Sequence, residues 1–147
     1  MALRRSLVPT SPLLPHVQNG LQAMGAHSAR VQATTLQVAD SLDFDAAALA
    51  AAPQANRWDY VLGMKAARGS GTLVAVEVHS ATDGEVSVVI AKKTHSKPHL
   101  EGQLKPGVVV ERWIWLASGS VRFSPNSKYR RLLAQNRIEF EGRNLKL

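Results

Sequence analysis

One stretch, Thr72–Ala81 (TLVAVEVHSA), restricts the folds open to this chain more than any other. Successive side chains on a β-strand face opposite sides. Val74, Val76 and Val78 therefore form one β-branched face suited to a core. Leu73, Ala75, Glu77 and His79 form the other face, which begins apolar and ends ionisable. A lone strand is not stable in water, so the chain must build a sheet around this one. Glu77 and His79 share a face two residues apart. They mark either a strand running out into solvent or a pair of working side chains.

The flanking segments supply partners. Arg57–Met64 (RWDYVLGM) reads as a strand with Trp58, Tyr60, Leu62 and Met64 on one side and Asp59, Val61 and Gly63 on the other. Lys65–Gly71 holds Gly-Ser-Gly and reads as a turn. Two strands joined by a short glycine-rich connection pair antiparallel, which puts Asp59 on the same sheet as Glu77. Their register is not readable from sequence.

After the central strand, two signals compete. Asp83-Gly84 favours a hairpin. Thr82-x-x-Glu85 is a capping box, and Val86, Val89, Ile90 and Lys93 follow at helical spacing. The non-alternating run Val88–Ala91 decides for a helix, with Pro98 at or just past its end. Val108–Ala117 is a further strand with Trp113 and Trp115 on the side of Glu111 and Arg112 opposite. Core packing is the simpler role for both tryptophans, base stacking the other. Val121–Phe123 is a short strand. Ser124-Pro125 carries helix-start chemistry. Ser127–Gln135 is a helix with Tyr129, Leu132 and Leu133 inward, ended by Asn136 in the left-handed region. Arg137–Glu141 is a strand, and Asn144–Leu147 a short tail.

Upstream, Asp43 caps a helix over Asp45–Ala52 that Pro53 stops. Val31–Val38 is a strand or extended linker. Leu14–Met24 has helical spacing weakened by Gly20 and closed by Gly25. Residues 1–13, with two prolines and no periodicity, read as a loose arm. Residues 1–40 are thus expected to be flexible or loosely packed. Residues 41–147 form a single α/β (or α+β) domain, a mixed sheet flanked by helices.

The chain has 147 residues, no cysteine and a net charge of +7. Disulfides and thiolate metal sites are excluded. No apolar run approaches the roughly 20 residues of a membrane span. The broken apolar start argues against a secretory signal, and its arginines and serines fit a transit peptide only loosely, so the cytoplasm is the expected location. Arg4, Arg5 and Arg30 precede the first acid, Asp40, and basic residues dominate again after Ser120. This surplus favours anionic partners, nucleic acid among them.

Asp59 on one strand and Glu77-Val78-His79 on the next, followed by a helix, resemble the PD-(D/E)xK motif of the restriction-endonuclease-like superfamily. The resemblance covers roughly residues 43–117. Trp58 stands where the family has proline, and His79 where it has lysine. Histidine is a poorer permanent cation near neutral pH. Lys92 or Lys93 on the following helix can bring a charge from another direction, as in some members. The resemblance implies Mg²⁺ held by Asp59 and Glu77, with His79 or Lys92 orienting or deprotonating water. Lys93, Arg112, Lys128, Arg130 and Arg131 would then meet phosphates, although a basic helix face is often simply solvated.

Three functions stay open at this point. One is a basic nucleic-acid-associated domain with a nuclease-like fold, either a metal-dependent phosphodiesterase or a degenerate, non-catalytic relative. Another is a non-enzymatic interaction or structural domain. The third is an enzyme of another class, for instance with His79, His95 and His99 around zinc. No phosphate-binding glycine loop or serine-nucleophile motif is present.

Overall fold

The computed structural model describes residues 2–32, 37–50, 53, 56–65, 71–123 and 128–147. Its centre is a six-stranded sheet in the order β1-β3-β4-β5-β6-β7, formed by Gln18–Asn19 (β1), Val38–Asp43 (β3), Tyr60–Met64 (β4), Leu73–Thr82 (β5), Val110–Arg122 (β6) and Ile138–Phe140 (β7). Val31–Gln32 (β2) and Leu145–Lys146 (β8) form a separate parallel pair. The helices are Ala2–Ser6 (α1), Phe44–Ala48 (α2), Val86–Glu101 (α3) and Lys128–Gln135 (α4). From residue 43 the order is helix, strand, strand, helix, strand, helix, strand, as the sequence pattern predicts.

The sheet is mixed. β1-β3, β3-β4 and β4-β5 are antiparallel, while β5-β6 and β6-β7 are parallel and connected through α3 and α4. A parallel pair needs a crossover, and α3 and α4 provide the two. The central strand behaves as its alternation dictates. Leu73 and Ala75 join the core cluster that also holds Val86, Val89 and Leu100 of α3 and Leu133 of α4. Val74 and Val76 join the opposite cluster, closed by Met24, Val31, Leu145 and Leu147. Both faces are therefore covered, so β5 is buried on both sides along most of its length.

Several expectations change. The first residues are no loose arm: Leu3, Leu7 and Leu13 are fully buried. Asp40, itself buried, accepts the Leu3 and Arg4 N–H groups at 2.9 and 3.0 Å. Gly63 permits this approach, because a Cβ there would overlap Asp40 Oδ1 and the Leu3 nitrogen. Leu14–Met24 is not one helix but a 3₁₀ turn, β1 and the start of a second 3₁₀ segment, broken at Gly20 and Gly25, both with positive φ. The expected strand at Val31–Val38 is only β2 and the first residue of β3 within the described residues.

The sequence pattern also needs correcting further along. α2 ends at Ala48, short of the predicted Ala52. Trp58 precedes β4 rather than alternating within it, and it packs with Val61 instead of Leu62. Pro98 lies inside α3, which runs on to Glu101 because Ser96 and Leu100 continue its buried face. The Thr82–Glu85 capping box does not form, since Glu85 turns to His79 instead. Val121 extends β6 rather than starting a new strand. Leu132 is 38% exposed, leaving Leu133 as the buried anchor of α4. The left-handed terminator after α4 is Arg137, not Asn136. The 65–71 turn and the Ser124-Pro125 helix start lie mostly or wholly outside the described residues.

Candidate functional site

Register decides the site. Tyr60 pairs with Val76 and Val61 with Ala75, so the start of β4 lies beside the middle of β5. Asp59, one residue before β4, thereby meets Glu77. The two carboxylates lock one another through backbone amides. Asp59 N–H donates to Glu77 Oε2 at 2.9 Å, and Val78 N–H donates to Asp59 Oδ2 at 3.0 Å. One oxygen of each acid is thus fixed, and the other turns toward α3. There Lys92 Nζ donates to Glu77 Oε1 and lies 3.9 Å from Asp59 Oδ1.

α3 can present Lys92 because the adjoining face of the helix is anchored, with Val89 and Ser96 three and four residues away on the same side. Val86 and Val89 are fully buried, and Ser96 Oγ accepts the Trp58 N–H at 2.7 Å. That last bond ties the residue before Asp59 to the helix that carries Lys92.

Glu77 is fully buried. Burial, then the neighbouring Asp59 charge, pushes its carboxyl up to about 8, against the opposing pull of Lys92. Burial also raises Asp59, countered by the Val78 amide and Lys92. A buried carboxylate is costly unless paired, so this pair calls for a cation. Burial and the nearby Asp59 charge raise Tyr60 to about 12, and its hydroxyl lies 2.9 Å from His27 Nδ1.

His79 stands on the same face as Glu77, with Nδ1 3.7 Å from Glu77 Oε1 and Nε2 2.8 Å from Glu85 Oε2. Its carbonyl accepts the Trp115 indole N–H at 3.1 Å. Glu77 and His79 are therefore neither a frayed strand end nor separately solvated.

Asp59, Glu77, His79 and Lys92 thus come together. The proposed phosphate contacts do not all join them. Lys93 turns the other way, donating to the Asn136 carbonyl at the end of α4 and lying 5.5 Å over the Trp113 ring. Arg112 is on the opposite sheet face, paired with Glu139 at 2.9 and 3.1 Å. Lys128, Arg130 and Arg131 are exposed on α4. Trp113 and Trp115 are buried in the core. The zinc arrangement does not form: His95 is exposed, His99 packs edge-on against Phe44, and His79 is bonded to Glu85. Among the described residues, no group of three or more His, Asp or Glu side chains is arranged to hold a metal. Any metal here would rest on two carboxylates, with water completing its shell. The donor set fits a hard cation, and the Lys92 ammonium occupies the position facing both free oxygens.

Glu85 and Ser96 are the contributors that sequence reasoning missed. Glu85 reads as a helix cap, and Ser96 as an ordinary helical serine. No local signal sets them apart, because each acts on a residue in another element.

Comparison with family models, curated proteins and solved structures gives no match to this chain. No helix among the described residues is long and apolar enough to cross a membrane.

Proposed function

We propose that this protein is a basic, nucleic-acid-associated domain with a restriction-endonuclease-like core, whose Asp59–Glu77 pair takes Mg²⁺ and acts on phosphodiesters. The observation that carries this reading is the pair itself: two acids from adjacent strands, each fixed by a backbone amide, turn their remaining oxygens to one cation. The strand order supports it, with an antiparallel β3-β4-β5 meander, a crossover helix bearing a lysine, and β6 parallel to β5. Lys92 reaches the acids from that helix, supplying the cation that the His79 position lacks.

The residues then divide the work. Asp59 and Glu77 are the residues that would hold the metal, with Lys92 yielding the oxygens it now faces. A bound Mg²⁺ supplies Lewis-acid stabilisation of charge developing on a phosphate. Lys92 adds positive charge beside it. His79, held at Nε2 by Glu85, turns Nδ1 toward the site and can accept a proton there.

The test is a Mg²⁺ or Mn²⁺ titration followed through backbone amides, then a cleavage assay on duplex and single-stranded substrates. The expected result is shifts or paramagnetic broadening centred on Asp59, Glu77 and Val78, absent in Glu77→Gln, with metal-dependent cleavage lost in the same variant. Metal binding without cleavage would make the protein a degenerate relative that binds but does not cut. No metal response at either carboxylate, with no nucleic-acid binding at low salt, would leave an interaction domain and overturn the reading.

A further inference from the structure

A second site lies on the same face of the sheet. Glu77 pairs in register with Trp115, and Trp115 with Phe140, so the three stand in one row across β5, β6 and β7. Two strand spacings separate the ends of that row, about 10 Å. At its far end a pocket of about 160 Å³ is lined by Phe123, Arg130, Leu133, Ala134, Ile138 and Phe140. The Phe123 and Phe140 rings are 4.6 Å apart and nearly perpendicular, and both pack edge-on against Trp115. Both are only partly buried, and the Arg130 guanidinium lies 5.8 Å from the Phe123 ring centroid.

From this geometry we infer that the pocket receives an unstacked nucleobase of a single-stranded or locally opened nucleic acid whose backbone runs toward Asp59 and Glu77. The proposal rests on the nuclease-like reading and names the substrate class for that site. Four features carry it. An apolar cavity of about 150 Å³ takes one aromatic ring, and this one is of that size. Its walls are aromatic and its rim holds a guanidinium, which stacks on a base and donates to its edge. Charge agrees, since α4, which lines the pocket, reads KYRRLLAQ, with Lys128 and Arg131 also exposed on it and no acid among its residues. Phe123 follows β6 and Phe140 ends β7, so the pocket sits at the carboxyl ends of parallel strands, where ligands of such sheets bind. A duplex keeps its bases stacked, so only an unpaired or extruded base can enter.

The test uses short single strands in EDTA, so that nothing is cut. One carries a single 2-aminopurine, a second an abasic site at that position, and binding is read by anisotropy of an end label. The wild-type protein should quench 2-aminopurine and bind the intact strand roughly five- to hundred-fold more tightly than the abasic one. Phe123→Leu, which keeps the apolar volume, should abolish most of that ratio and the quench. Arg130→Gln, on an exposed helix position, should reduce both without affecting folding. Equal affinity for intact and abasic strands would overturn the base pocket and leave the metal site standing. A seated base with no Mg²⁺ response at Asp59 and Glu77 would support the pocket and overturn the nuclease-like reading. No binding of either strand at low salt would overturn the pocket.

Discussion

Replacing Glu77 with glutamine should remove a pH dependence from the stability of this protein. Glu77 is fully buried and its carboxyl is raised from 4.5 to about 8. An acid raised on folding holds its proton in the native state after the unfolded chain has lost it. Rising pH therefore favours unfolding between the two values, and stability falls from about pH 4.5 until it levels above about 8. At about 1.4 kcal/mol per pH unit over that interval, the ceiling is about 5 kcal/mol. Glutamine keeps an oxygen that can accept the Asp59 N–H but has no proton to release. Urea denaturation between pH 5 and 9 measures this directly. The wild-type midpoint should fall across that range, and Glu77→Gln should be much flatter, retaining only the weaker slope of Asp59 and other groups. Saturating Mg²⁺ should lift the wild-type midpoint at pH 8 and leave the variant unmoved. Parallel pH profiles for the two proteins would mean that Glu77 is ionised throughout, and the account of a strained, cation-demanding pair would be wrong.

Other perturbations follow from the same contacts. Lys92→Met leaves two facing acids without their cation and should cost about 3–5 kcal/mol near pH 8, with a smaller loss near pH 5 where Glu77 is protonated; chemical denaturation at both values checks this. Ser96→Ala strands the buried Trp58 N–H and should cost about 1–3 kcal/mol, with amide shifts spreading to Asp59 in an ¹⁵N spectrum. Gly63→Ala puts a methyl into the space of Asp40 and the Leu3 backbone, so it should lower the melting temperature and expose residues 2–13 to limited proteolysis.

The sequence by itself determined the succession of elements. The alternation in β5, the apolar spacing of Val86, Val89 and Ile90, and the basic amphipathic run of α4 each depend on a few neighbouring residues, so each is legible locally. Glu77 and His79 stood out because ionisable groups are out of place on an apolar strand, and the resemblance to the PD-(D/E)xK motif added Asp59 and Lys92 to them. Tertiary structure alone decided the rest. Whether Asp59 reaches Glu77 depends on the β4-β5 register, which hydrogen bonds between separate segments fix and no local pattern encodes. The burial that raises Glu77 exists only once α3 covers that face of the sheet. Glu85 was free to cap a helix until the fold placed His79 within 2.8 Å of it. The N-terminal residues, without periodicity, read as a loosely packed arm. They are held by single leucines in the core and by one buried aspartate, a long-range arrangement that leaves no repeating trace in the sequence. The row from Glu77 through Trp115 to Phe140 likewise arises only when three separate strands align.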